Sequence, residues 1–188
     1  TRQIVAEKRG KEAGMEIGPD AICMTVGAAS AMNDVLHALL DADDEVILLA
    51  PYFMEYNGYV ANHNGKVVIV QTDDKFMPVI ADIEKAITSK TKAIIVNSPN
   101  NPSGVVYPAE LLVELNEMLK RQDHTIYVIS DEPYIDLAYD GASVPCALKY
   151  IDNLIICFSW SKSLSLPGER IGYTLVSPRC EDFEQLTG

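Results

Sequence analysis

Short apolar runs rich in Val and Ile recur along the chain and alternate with longer stretches whose apolar residues fall at helical spacing. The runs are ICMTV at 22–26, EVILLA at 45–50, KVVIVQT at 66–72, KAIIVNS at 92–98, IYVIS at 126–130, NLIICF at 153–158 and IGYTLVS at 171–177. Most are apolar on both faces, as in strands of a sheet covered on both sides. Between them the spacing predicts helices near 28–40, 52–63, 79–88 and 108–121. Pro108 suits a first helical position, and Leu111, Leu112, Leu115, Met118 and Leu119 supply one apolar face. Repeated strand–helix alternation predicts an α/β fold, a three-layer sandwich around a mostly parallel mixed sheet of about seven strands. Phe158 and Ile171 are joined by only about 12 residues, tight for a crossover helix, so the last strand is expected to run antiparallel.

In such a sheet, ligands bind beyond the carboxyl ends of the strands. Gly27-Ala28-Ala29-Ser30 follows the first strand and opens a helix, so its free amides suit an anion. Small residues at such a turn also serve simply as packing. Pro51-Tyr52-Phe53, Pro99-Asn100-Asn101-Pro102, Asp131-Glu132-Pro133-Tyr134 and Ser159-Trp160-Ser161-Lys162 follow other strands, with Arg170 eight residues beyond the lysine. Ser159 and Arg170 add a hydroxyl and a guanidinium to the anion site. A lysine desolvated beside a cation is pushed towards its neutral form and condenses with an aldehyde. An aldehyde that also carries a phosphate suggests pyridoxal phosphate, whose ring nitrogen needs a carboxylate to hold its proton. Asp131 is the natural candidate; its alternative is a helix or turn cap. Asn101 and Tyr134 suit the ring's phenolic oxygen, and Phe53 its face, although Asn101 is also an ordinary turn residue.

Length and charge narrow the field. The 188 residues suffice for one domain with a substantial core, and 48% hydrophobic with 22% charged residues is a globular composition. Fifteen Lys and Arg stand against 27 Asp and Glu, a net charge of −12 that disfavours nucleic acid and anionic membranes as partners. No apolar run approaches the ~20 residues needed to span a bilayer. Cys23, Cys146, Cys157 and Cys180 show no paired spacing and read as free thiols in a reducing cytoplasm, with Cys23 and Cys157 buried in strands. His37, His63 and His124 have no metal-ligand spacing, and the acidic clusters lack the order of a calcium loop. GxSxG, Walker A and GxGxxG are absent, and SxxK at Ser159–Lys162 lacks the downstream SDN and KTG of penicillin-binding proteins.

NSPNNPSG (97–104), SDEPY (130–134) and SWSKSLSLPGERIGY (159–173), in that order, resemble the fold-type I, class I/II pyridoxal-phosphate-dependent aminotransferases of the aspartate aminotransferase group. The resemblance covers essentially the whole chain. It implies Lys162 as the Schiff-base lysine, Asp131 as the partner of the pyridine nitrogen, and Asn101 and Tyr134 at the phenolic oxygen. It also implies Phe53 as the stacking aromatic, the Ala28 and Ala29 amides with Ser159 and Arg170 at the phosphate, and Ser161 beside them. Tyr134, Asp131 and Lys162 are the catalytic set it suggests. Alanine at the first amide position departs from the usual glycine, but the contact is through backbone.

The same resemblance implies that residues 1–188 are the cofactor-binding large domain of a longer cytoplasmic homodimer, with an N-terminal arm and a C-terminal small domain outside this sequence. The helix-like ends, TRQIVAEKRGKEAG and EDFEQLTG, agree with a segment cut from a longer chain. An amino acid and a 2-oxo acid are the implied substrates. A carbon–sulfur β-lyase or aminocyclopropane-carboxylate-synthase-like enzyme shares the same cofactor residues, and an aminotransferase-like sensor domain of a transcriptional regulator is a third reading. No metal is expected.

Overall fold

The computed structural model describes residues 1–188. Seven strands form one sheet: β1 (Ile22–Thr25), β2 (Glu45–Ala50), β3 (Lys66–Gln71), β4 (Thr91–Asn97), β5 (Tyr127–Asp131), β6 (Leu154–Ser159) and β7 (Gly172–Val176). Their order is β1-β7-β6-β5-β4-β2-β3. β7 pairs antiparallel with both β1 and β6, and the other pairs are parallel. The expected antiparallel last strand is thus observed.

The two-sided burial read from the strands has a direct counterpart in the core. Along β2, Ile47 and Leu49 face one cluster, while Val46 and Leu48 face another. β4 divides likewise, with Ile94 and Val96 against Ala93 and Ile95. The first cluster is closed by α1 (Arg2–Ala13), α4 (Ile80–Ala86) and α5 (Ala109–Leu119), through Val5, Ile83, Leu112, Leu115 and Met118. The second is closed by α2 (Ala28–Leu39) and α3 (Tyr56–Asn62), through Met32, Val35, Leu36 and Val60. Alternate side chains of one strand therefore fill opposite layers, the period-2 consequence of pleating. No helix is long and apolar enough to cross a membrane.

Three details depart from the sequence reading. α3 begins at Tyr56 rather than near 52, which leaves Phe53 on the turn after β2. Pro108 caps α5 in an extended conformation, ψ 160°, rather than occupying its first turn. The connection from β5 to β6, where no helix was expected, holds only short 3₁₀ turns, Ile135–Leu137 and Ala147–Lys149. Cys157 is buried as expected, but Cys23 is exposed, because β1 lies at the sheet edge.

One residue fixes how closely the binding edge closes. Gly172 is in register with Thr25 of β1 and Ser159 of β6, so it lies between two neighbouring strand ends. A Cβ there would come 2.4 Å from the Phe158 carbonyl oxygen and 2.8 Å from the Gly27 carbonyl carbon. Both are backbone atoms, so no side-chain rotation relieves the clash. Gly172→Ala is expected to cost about 1–3 kcal/mol by overpacking, read as a lower urea midpoint with unchanged slope. A midpoint equal to that of the parent would show that the strands separate without cost.

Candidate functional site

The carboxyl ends of β4 and β5 lie level, with Asn97 opposite Asp131, while β6 places Cys157 opposite Asp131 and runs on to Ser159. Each strand delivers its following residues to the same edge. There a cleft of about 260 Å³ forms. Ala28 and Ala29 line it from the start of α2, and Phe53 from the turn after β2. Asp131 lines it from β5, with Ser159, Ser161, Lys162 and Arg170 completing the β6–β7 side.

The α2 end of the cleft is built to take negative charge. Gly27 has φ 85°, a left-handed-side conformation that costs a glycine little, and it turns the chain from β1 directly into α2. The amides of Ala28, Ala29 and Ser30 make no backbone hydrogen bond, whereas that of Ala31 bonds Gly27 O. These are the orphan donors of a helix start, at the positive end of its dipole. Arg170 closes over them: an added Cβ on Gly27 would lie 2.8 Å from its Nη2. The guanidinium donates to Pro167 O at 3.0 Å and to Val26 O at 3.4 Å. Arg170 itself has φ 52°, a left-handed conformation that costs a residue with a Cβ roughly 1–2 kcal/mol. Such strain is retained where the direction of a side chain matters.

Ser159 is buried and caps the single-turn helix α6 (Trp160–Ser163). Its Oγ accepts from the Ser161 amide at 3.0 Å and donates to Ser161 Oγ at 2.7 Å. This cap sets the direction in which Lys162 leaves the sheet. The desolvated setting expected for Lys162 is not found: its side chain is exposed, because α6 is one turn at the rim of the sheet. Its Nζ lies 6.0 Å from the centre of the Tyr134 ring.

The opposite end of the cleft carries negative charge. Asp131 is buried, and its Oδ2 accepts a 2.6 Å hydrogen bond from Tyr56 Oη. Its Oδ1 is also buried and has no hydrogen-bond partner. Burial pushes the carboxyl up to about 6, opposed by the Tyr56 hydrogen bond and reinforced by the charge of Glu132. Burial and the neighbouring carboxylate hold the Tyr56 phenol well above its ordinary value, so it remains a donor.

Glu132 faces a different partner. Arg9, buried on α1, meets its carboxylate at 2.5 Å, and Ser130 Oγ donates to its other oxygen at 3.0 Å. Burial is the largest single influence and opposes the Arg9 charge, but the attractions of Glu132, Tyr173, Glu12 and Cys146 together outweigh it and hold that guanidinium above its ordinary pKa. Two adjacent buried carboxylates are therefore treated differently: one is neutralised internally and the other retains a free oxygen.

Asn101 and Tyr134 stand beside this arrangement rather than in the cleft lining. They hydrogen-bond each other at 3.3 Å, and Asn97 fixes both neighbouring strand ends. Its Nδ2 donates to Asp131 O at 2.8 Å, and its Oδ1 accepts from the Asn101 amide at 2.6 Å. Phe53 packs edge-on against Tyr56, with ring centres 5.6 Å apart. Tyr56, Asn97 and Arg9 are the contributors that sequence reasoning missed. Tyr56 lay inside a predicted helix, and Arg9 in a charged amphipathic stretch that reads as solvated.

The family model described as "Aminotransferase class I and II" matches residues 1–186. A probable aspartate/prephenate aminotransferase of Thermus aquaticus is 41% identical over 174 residues, which are 92% of this chain and 45% of that protein. The aspartate aminotransferase of Bacillus subtilis is 37% identical over 90% of this chain and 44% of its own. Among solved structures, an aminotransferase from Eubacterium rectale superposes with a TM-score of 0.96 at 41% identity, covering 99% of this chain and 48% of that one. The aspartate aminotransferase of Thermus thermophilus with maleate gives 0.88 at 36% identity, with 99% and 48% covered. The chain thus spans about half the length of the curated relatives it matches. With sheet order, cleft and motifs all in agreement, this chain belongs to the class I and II aminotransferase family.

Proposed function

We propose that residues 1–188 form the cofactor-binding large domain of a pyridoxal-phosphate-dependent aminotransferase, which moves an amino group between an amino acid and a 2-oxo acid. The observation that carries this reading is the unpartnered Asp131 Oδ1, buried in a cleft that also presents Lys162 and a helix-start anion site. Buried acceptors are nearly always paired, so a free one in a ligand-sized cleft fits a cationic N–H donor. The cofactor has one such group, the protonated pyridine nitrogen, together with a phosphate and an aldehyde. Each has a complementary partner among these residues, so the cleft fits it.

In this reading the amides of Ala28 and Ala29, the Ser159 hydroxyl and the Arg170 fork hold the phosphate. Phe53 covers the ring face, and Asn101 with Tyr134 takes the phenolic oxygen. The bound cofactor supplies an electron sink for a carbanion at the substrate's α-carbon. Asp131 keeps the ring nitrogen protonated, which sustains that sink. Lys162 Nζ would be the group that holds the cofactor covalently. As a free amine it would carry the α-proton as a general base and acid. Its exposed position gives it access to substrate, and the Ser159 cap fixes the start of the turn that bears it.

The full-length protein with pyridoxal phosphate, assayed with a panel of amino acids and 2-oxoglutarate, is expected to transfer the amino group and release the matching oxo acid. Elimination products without need of an oxo-acid acceptor would assign it to the lyases instead. Arg170→Ala is expected to weaken cofactor affinity by about 1.5–3 kcal/mol through lost charge-assisted contacts. Arg170→Lys is expected to recover part, since a point charge cannot reproduce the fork. Pyridoxal lacking its phosphate serves as the control, because its affinity is expected to be the same for all three proteins. A drop in pyridoxal affinity matching that of the phosphate ester would remove Arg170 from the phosphate site.

A further inference from the structure

We infer that His37 and His63 form a binding site for a divalent transition metal such as zinc, nickel or copper, and that the bound ion ties α2 to α3. The two residues are far apart in the chain, so no spacing in the sequence reveals them. The fold sets His37 in the last turn of α2 and His63 as the C-terminal cap of α3. Their ring centres lie 5.4 Å apart, with the planes tilted by 48°. Two imidazoles that share a metal have this spacing. With each nitrogen ~2.1 Å from the ion, a tetrahedral angle separates the ring centres by about 5.2 Å.

The hydrogen bonds around His63 leave it the lone pair that a metal needs. Asn33 Nδ2 donates to Ala29 O at 2.9 Å, which fixes Asn33 Oδ1 as an acceptor. His63 Nε2 lies 3.3 Å from that oxygen and carries the proton, so Nδ1 carries the lone pair. A ligating histidine is commonly oriented in this way, by a carbonyl that takes its other N–H. Burial and the charge of His37 lower the His63 pKa, against the pull of Asp34, which favours the neutral, ligating ring. His37 is exposed, so its ring is free to turn a nitrogen towards the same point. Both helices direct their negative C-terminal ends here, and Asp34, one turn before His37, adds its charge. Two imidazoles bind the ion and water completes its coordination. Nitrogen donors select transition metals over magnesium and calcium, which take oxygen.

The test titrates nickel, as the only added metal, into the full-length protein, with no amino acid present to chelate it. Asn33→Ala, which releases the His63 tautomer, is expected to weaken nickel binding about 10- to 100-fold, and His37→Gln or His63→Gln by more. Cys23→Ser, which removes the exposed thiol, is expected to leave it unchanged. Nickel is expected to raise the urea midpoint of the parent as its concentration rises, and to leave that of His63→Gln in place. In the parent, proton NMR with a fraction of an equivalent of nickel is expected to broaden the ring signals of His37 and His63 and to spare His124. That reading needs no variant to fold. Equal broadening of all three histidines, or of none, overturns the site. Nickel affinity unmoved by either single histidine change overturns the shared ion, and unmoved by Asn33→Ala it overturns the tautomer that supports it. A midpoint raised equally in the parent and in His63→Gln overturns the tie between α2 and α3.

Discussion

Lys162→Ala in the full-length protein is expected to abolish the borohydride-trappable cofactor adduct and to lower the rate of amino-group transfer by at least about 10²–10⁴-fold. That range is the usual contribution of a single positioned proton carrier, and loss of the covalent link adds to it. The expectation rests on position: Lys162 is the lysine that lines the cleft, between the Ser159 cap and the Arg170 clamp. Cofactor affinity is expected to survive in part, since the phosphate, ring-face and ring-nitrogen contacts do not involve this residue. Visible absorbance, borohydride reduction and mapping of the labelled peptide read the outcome. An adduct of undiminished yield in the alanine variant would place the reactive amine on another lysine.

Much of this site was legible because its parts are local. Each strand-end motif joins a buried apolar run to a loop, so the run locates the loop on the carboxyl edge before any coordinates are known. β2 through β6 illustrate it: the apolar stretches predict the strands to within a residue or two, and the motifs follow from them. The antiparallel β7 was legible for a similar reason, since loop length limits what a connection can hold. What escaped the sequence depends on distant partners. Tyr56 and Asp131 are 75 residues apart, and Arg9 and Glu132 are 123 apart. No local pattern distinguishes such a tyrosine from a core aromatic, or such an arginine from a solvated one.

The misjudged boundaries have physical causes too. Apolar and aromatic residues at 52–56 continue the helical spacing backwards, yet α3 starts only after the chain has turned out of β2. Between β5 and β6, by contrast, no helix was expected; the stretch DGASVPC carries Gly and Pro, which oppose one, and 3₁₀ turns complete the connection. Lys162 was expected to be desolvated because it follows a buried strand. A single-turn helix at the rim carries it past the core before its side chain begins.

Asp131→Asn is expected to have opposite effects on stability and on function. In the unliganded protein a buried carboxylate with one unpaired oxygen is a cost, because ionisation leaves a desolvated charge without a counter-ion. Its pKa rises from 3.8 to about 6 in the fold, so between those values the folded state binds more protons than the unfolded one. Stability from this group therefore falls as pH rises through that window and stays lower above it. A shift of this size corresponds to at most about 3 kcal/mol. Asparagine keeps the shape, accepts from Tyr56 and has no charge to desolvate. The unliganded variant is thus expected to be about 1–3 kcal/mol more stable than the parent at pH 8, with the gap closing as pH falls towards 4. Cofactor binding and turnover are expected to move the other way. An amide cannot hold the ring nitrogen protonated, and the lost charge-assisted bond is worth about 1.5–3 kcal/mol, or roughly 10- to 150-fold. Urea melts of unliganded parent and variant across this pH range, paired with cofactor titrations at pH 8, measure both effects. A stability difference independent of pH would mean that Asp131 ionises freely in the fold, and its free oxygen would then be satisfied by something other than a ligand.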